Sequence, residues 1–497
     1  MLFNSYIFIL LFLPICILGY FTLNHYKKYK LGQAFLLVMS LWFYAYNSVK
    51  YLLVLVASVL INYGVYLLLQ NAGEIPSNDV NSSNARGGRS RKAIMVLGVV
   101  INVGILLYFK YMDFFIDNIN GIFGMDIAFL RIALPLGISF FTFQQISFIV
   151  DAYRGEIPGY CFLDYACFVT YFPQLIAGPI VTHDELVPQF MDEEKKKFNA
   201  DNVLQGIYIF TMGLAKKVLL ADTFGKVVKY GYTLPEALNS ITAIITIMAY
   251  TIQIYFDFSG YCDMAIGIGK MMNIELPLNF NSPYKACNII EFWDRWHMTL
   301  TRFFTKYVYI PLGGSRKGNI RTYVNVFLVF LISGFWHGAS WNFVLWGAMH
   351  GALNILTRIC RKVVDRIPRV ISWLFTFAFV NIAWVFFRAE NIPQALTVIQ
   401  RVFSGGFVVN DPTFYSEICS PEIREILSIF SLEERFPALV LVAYFALALL
   451  LIVGSKNAYE KMLKFKPTLL NMGLTLFLLV WSVFSFAGIS TFLYFNF

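Results

Sequence analysis

A chain of 497 residues that is 58% hydrophobic, 18% aromatic and only 14% charged cannot fold as a soluble globule, whose surface carries about 25% charged residues. Its mean hydropathy of +0.62 excludes a disordered chain, and the net charge of +9, from 39 Lys+Arg against 30 Asp+Glu, is not gathered on the kind of soluble basic face that nucleic acid requires. The composition predicts a polytopic integral membrane protein with roughly ten to thirteen crossings at about 20 residues each.

The first apolar run, 2–23, has no basic residue before it and no small-residue cleavage site after it, so it reads as a span and does not look like a signal peptide. Lys27, Lys28 and Lys30 follow. Positive residues collect in cytoplasmic loops, which places the N-terminus outside. Spans at about 31–47 and 49–70 lead to a polar stretch, Asn71 to Lys92, whose Arg86, Arg89, Arg91 and Lys92 mark it as a cytoplasmic loop. Residues 1–92 are set apart as an N-terminal group of helices with this loop.

In the segment 93–390, Gln144 and Gln145 sit in the otherwise apolar Phe140–Ile146. Buried amides satisfy neighbouring groups or contact a substrate. His183 follows Pro179 in a polar loop and, like His25 in the first basic loop, is expected to be solvated. The stretch 151–320 is interrupted at Pro173, Gly178, Pro179, Pro277 and Pro283. Irregular backbone at membrane depth is tolerated only where protein buries it or where it lines a cavity, so a site is expected here. Asp257 and Asp263 lie in an apolar run. They either serve chemistry, cap a helix break at Ser259-Gly260, or pair with Arg295 or Lys270.

Trp293, Trp296, His297, Leu300, Phe304 and Tyr307 recur at three- and four-residue steps, which predicts one amphipathic helix at the membrane boundary with His297 on its aromatic face. His337 stands between Trp336 and Gly338 in Gly334–Trp341, an imidazole on close-approach backbone inside an apolar wall and a candidate general base. His350 is thirteen positions further on. A continuous helix turns it well away from His337, and it is read as structural. No His/Cys spacing suits a metal. A G-x-S-x-G elbow, a P-loop and a Rossmann glycine motif are absent. The seven cysteines include no CxxC pair and act as small apolar fillers.

The loop 358–369 is basic and reads as inside, whereas 389–436 holds seven acidic residues against three basic ones and reads as outside. After a span, Lys456, Lys461, Lys464 and Lys466 are inside again, and a last span at about 469–487 leaves the tail outside. Both termini are thus expected to be extracytoplasmic. Residues 391–497 form a third segment of acidic loop, two spans and an aromatic tail.

The runs Asn279–Tyr284, Phe292–His297, Tyr309–Gly314 and Gly334–Ala339, with Leu134–Phe140, Gln174–Ile180 and Phe256–Tyr261, resemble the membrane-bound O-acyltransferase family. The narrower likeness is to its bacterial branch of alginate and peptidoglycan O-acetyltransferase membrane subunits and the teichoic-acid D-alanyl transfer protein. It covers about 90–390 and resumes at the C-terminus. The resemblance implies an all-α polytopic membrane fold, with helices and re-entrant and amphipathic elements around a central funnel and tunnel. It also implies that His337 is the catalytic histidine and His297 a supporting one. The tail Thr491–Phe497 resembles the branch's aromatic C-terminus, which implies that Tyr494 accepts and relays the acyl group. The expected substrate-binding residues are Trp293, Trp296, Trp336, Asn281, Gln145, Asp257 and Ser340.

The function so implied is transfer of an acetyl group from a cytoplasmic thioester, acetyl-CoA, for O-acetylation of an extracytoplasmic polysaccharide in the bacterial cytoplasmic membrane. His337 acts as base, and His297 orients the thioester or stabilises the oxyanion. No permanently bound cofactor and no metal is expected. The expected partners are a secreted SGNH-type acetyltransferase, the glycan acceptor and the lipid bilayer. Alternatives are D-alanyl transfer from a carrier protein and, from another class, a transporter of an acylated or lipid-linked sugar. The absence of internal repeats counts against the transporter.

Overall fold

The structure is a computed structural model of the chain. It describes residues 1–72, 85–407, 412–419, 421–429, 432, 436–486 and 492–493. Among the described residues the secondary structure is helical, and the only β pairing is one isolated antiparallel bridge, Phe280 to Trp296. Eight helices among these residues are long and apolar enough to cross a membrane: Phe8–His25, Val49–Asn71, Arg89–Phe123, Ala200–Thr233, Ser240–Met271, Asn319–His337, Arg369–Arg388 and Pro437–Gly454. The further spans expected near 31–47 and 469–487 are also helices, Tyr29–Ala45 and Leu469–Phe484, and Trp341–Ile359 is helical as well.

The chain forms two compact units, Met1–Phe210 with Ala265–Pro277, and Thr211–Met264 with Leu278–Phe497. In the first unit, membrane-depth polar groups satisfy one another, as lipid requires. Ser58 Oγ donates to Gln145 Oε1 at 3.0 Å, Asn62 Nδ2 donates to the same oxygen, and Asn102 Nδ2 donates to Asn62 Oδ1. Two sequence expectations are corrected here. The polar stretch to Lys92 does not stay a loop, because the helix Ala85–Phe123 begins inside it, and Arg91 is buried with its guanidinium on the carbonyls of Leu69 and Ala152. His183 is not solvated. Thr182 and Glu185 form a capping box that starts a helix, His183–Met191, and the imidazole is buried against Tyr160 Oη at 3.2 Å and Asp151 at 3.6 Å.

In the second unit, the helices Asn319–His337 and Trp341–Ile359 form a hairpin. Their backbones meet at two glycines. A Cβ on Gly334 would overlap the carbonyl oxygen of Phe343, and one on Gly347 would overlap that of Phe330. Small residues at such crossings let membrane helices approach closely. The helix Ser240–Met271 runs unbroken through Ser259-Gly260, so Asp257 caps no helix break.

Candidate active site

The site in the second unit begins with an extended segment. Phe280 bridges Trp296, Asn281 N–H donates to the Arg295 carbonyl at 2.9 Å, and Met298 N–H donates to the Asn279 carbonyl at 3.0 Å. This clamp breaks the expected amphipathic helix in two, Ile289–Arg295 and Met298–Phe304. The first is capped by Asn288, whose side chain accepts from Ile290 N and Glu291 N. His297 lies at the break with φ 48 and ψ 51. A left-handed backbone costs an ordinary L residue about 1–2 kcal/mol, so the surrounding pairing holds the histidine there against its own preference.

His297 is fully buried, and its Nδ1 is 3.0 Å from Asn279 Oδ1. The same oxygen receives Thr299 Oγ1 at 2.9 Å and the Thr299 backbone N–H at 3.3 Å, while Asn279 Nδ2 faces Cys262 Sγ at 3.3 Å. A backbone N–H can only donate, so this amide atom is the acceptor. His297 Nδ1 therefore carries the proton, and Nε2 keeps its lone pair. Burial pushes the imidazole pKa down to about 3, so the ring is neutral at physiological pH. Phe258 meets it edge-on at 4.8 Å.

His337 ends its helix and is 3% exposed. Its ring lies 4.7 Å from Trp336, 5.1 Å from Trp346 and 5.2 Å from Phe387. The Trp336 ring is also 6.4 Å from that of His297, so one indole adjoins both histidines. Ser340 is the N-cap of the next helix, and its buried Oγ has no hydrogen-bond partner among the described residues. The wall is aromatic. Trp296 packs on Trp384 at 5.0 Å, and Trp346 stacks on Trp384 at 5.8 Å. A cavity of about 490 Å³ opens in the same unit, lined by Tyr255, Leu447 and Trp481 together with Lys216, Lys456 and Lys461. Tyr255 also packs against Trp296, at 6.3 Å.

Residues 137–392 match the model of MBOAT, the membrane-bound O-acyltransferase family. The chain belongs to this family. It is an acyltransferase, and the segment matched contains the two histidines, Trp336, Ser340 and Asn279. Among its relatives is the peptidoglycan O-acetyltransferase of Helicobacter pylori, 45% identical over 80% of this chain and 79% of the relative. The probable alginate O-acetylase AlgI of Pseudomonas aeruginosa is 40% identical over 82% and 75%. The teichoic acid D-alanyltransferase of Bacillus subtilis is 28% identical over 48% and 62%.

The acyltransferase fold distributes the expected site residues unevenly. His297, Trp336 and His337 come together, with Ser340 three positions after His337. Trp293 donates its Nε1–H to His350 Nδ1 at 3.2 Å, which ties both into the wall. Asn281 is turned to Asn457, whose Nδ2 donates to its Oδ1 at 3.1 Å. Gln145 belongs to the first unit and its amide network. Asp257 pairs with neither Arg295 nor Lys270 but with Lys217 at 2.7 Å, and Asp263 pairs with Lys216 at 2.6 Å. Tyr494 lies outside the described residues. Sequence reasoning passed over Asn279, although it opens one of the motif runs. Among the described residues no cluster of three His, Cys, Asp or Glu side chains could hold a metal.

Proposed function

We propose that this acyltransferase moves an acetyl group from acetyl-CoA on the cytoplasmic side to hydroxyls of an extracytoplasmic cell-wall polysaccharide. What carries this reading is two buried histidines beside one tryptophan, in a chain 45% identical to a protein named peptidoglycan O-acetyltransferase. In the step proposed, His337 takes the proton of the attacking hydroxyl as its oxygen bonds to the thioester carbonyl carbon. The tetrahedral adduct expels the thiolate by breaking the C–S bond, and the proton on His337 passes to that sulfur. A dry aromatic wall keeps water from intercepting the acyl group.

The tautomer of His297 bears on its role. An Nε2 that carries no proton can accept a hydrogen bond and has no proton to offer an oxyanion. This favours orientation of the thioester, through an amide N–H of the donor, over oxyanion stabilisation. Ser340, with a free hydroxyl, is the better candidate donor to the developing charge.

The immediate acceptor in this reading is Tyr494. The loop charges support a tail on the outer face, where an SGNH-type transferase would take the acetyl group on to the glycan. Greater identity to O-acetyl than to D-alanyl relatives supports acetyl as the cargo. Incubation with radiolabelled acetyl-CoA, followed by mass spectrometry of the C-terminal peptide, tests this. An added acetyl group on Tyr494 is expected. Turnover with a competent partner but an unmodified tail would rule out the relay, and failure to transfer label to any acceptor would rule out the acetyl reading.

A further inference from the structure

The second unit holds a buried ion cluster that the transfer chemistry does not use. Lys217 Nζ lies 2.7 Å from Asp222 Oδ1 and 2.7 Å from Asp257 Oδ1, and the Lys217 and Asp257 side chains are 1% and 2% exposed. Lys217 belongs to a π-wound turn, Lys216–Ala221, within the membrane-crossing helix Ala200–Thr233. Such turns are uncommon and gather at functional sites. Here the turn lets two successive lysines find separate aspartates, Lys216 on Asp263 and Lys217 on Asp257.

A cluster that served only to tie helices together would be an expensive choice. Apolar residues of similar volume generally serve as well as a buried ion pair, or better. The second oxygen of Asp257 shows what the charge is used for. Asp257 Oδ2 accepts the backbone N–H of Leu493 at 3.0 Å, across 236 positions of sequence. The preceding residue, Phe492, is 1% exposed. Its ring lies 4.3 Å from Tyr261, edge to face, and 5.1 Å from the Lys217 ammonium. Asp257 and Tyr261 are four residues apart on one helix and share a face. A backbone N–H at membrane depth needs a partner within the protein, because lipid offers it none. A carboxylate answers that need with a charge-assisted bond, while Lys217 and Tyr261 select an aromatic side chain beside it.

We propose that the Lys217–Asp257 pair is a clasp for the C-terminal tail, and that Lys217, Asp257 and Tyr261 are positioning residues for Tyr494, the next residue in the chain. The use of the clasp rests on the relay reading; the capture itself does not. Asp257 thus acts on a part of this same chain and not on the soluble substrate.

The test uses the full chain with Phe492→p-benzoylphenylalanine, irradiated in membranes, with the cross-links mapped by mass spectrometry. Cross-links to the peptides carrying Lys217 or Tyr261 are expected, and cross-links confined to other segments overturn the clasp. The paired variant Lys217→Met/Asp257→Leu removes both charges together. It should lower the cross-link yield about ten-fold or more, as loss of a charge-assisted bond predicts. Asp257→Asn keeps an acceptor oxygen for Leu493 and should restore part of the yield. If the paired variant does not fold, Asp257→Asn alone decides by a yield below that of the parent chain. An undiminished yield in either folded variant overturns the proposal. In the unlabelled chain, Asp257→Asn should lower kcat for glycan acetylation with KM for acetyl-CoA unchanged, a split that a purely structural pair would not produce. Tyr494→Phe separates the two readings, since it removes the relay and leaves the cross-link in place.

Discussion

Asn279 holds His297 by its Nδ1, 3.0 Å away, and in doing so decides which nitrogen of the imidazole carries the proton. The asparagine can do this because its own orientation is fixed from behind by the Thr299 backbone N–H. Asn279→Ala frees the ring to exchange tautomers and leaves Thr299 without its acceptor. The expected result is a kcat about ten-fold lower or more, with KM for the acyl donor changed less, because the ring stays in place but its lone pair does not. Asn279→Asp keeps the acceptor and should retain more activity than the alanine variant. Steady-state kinetics on the three proteins check this, and equal kcat in all of them would remove Asn279 from the mechanism.

His337→Ala is expected to lower acyl transfer by about 10²–10⁴, the usual contribution of a general base, while insertion and thermal midpoint stay close to those of the parent. Near-normal label transfer in that variant would dismiss His337 as the base.

His297 also leaves a signature in acid. Its folded pKa of about 3 lies below the ordinary value of 6.5, so between these values the unfolded chain binds the extra proton. Stability then rises with pH across that window. It is present in full above about 6.5 and is lost as the pH falls toward 3, by about 1.4 kcal/mol per pH unit at most. Thermal midpoints recorded from pH 7 to pH 5 should fall more steeply for the parent chain than for His297→Gln. Parallel slopes would show that this ring does not contribute.

Gly347→Ala places a Cβ against the Phe330 carbonyl at the hairpin contact. The overlap should cost about 1–3 kcal/mol, seen as a lower thermal midpoint. Gly473→Ala is the control, since a Cβ there meets no atom within 4 Å and a helical alanine is favoured over glycine.

Much of this site was visible in the sequence, and the failures have identifiable causes. His337 and Trp336 stood out because chemistry and wall are adjacent in the chain. The single helix drawn through Trp293–Tyr307 failed because its apolar period continues across a break that neither proline nor glycine marks. That break comes from pairing with 279–281, a non-local contact to which periodicity is blind. Asn279 and Asn281 are two apart, and on extended chain such residues share a face, so spacing could not separate them. Only the register with Trp296 shows that Asn279 reaches the histidine while Asn281 reaches Asn457. The partner of Asp257 lies 40 positions away on another helix, and the nearer cations, Lys270 and Arg295, were natural but wrong choices. The polar neighbours of His183 suggest exposure, whereas Thr182 and Glu185, three apart, form the capping box that starts its helix.

The glycine contact in the hairpin has a consequence for cargo size. Trp346 precedes Gly347, and with the two backbones already touching, the indole beside His337 has nowhere to withdraw. On the acetyl reading proposed above, the hairpin is expected to act as a ruler that admits a two-carbon acyl group and resists each added methylene. Phe387, 5.2 Å from His337 on a different helix, is the side of the gauge that can be cut. In Phe387→Ala the kcat/KM for propionyl-CoA relative to acetyl-CoA should rise about ten-fold, since one methylene in an apolar pocket is worth about 1–3 kcal/mol. An unchanged ratio would place the length limit elsewhere in the fold.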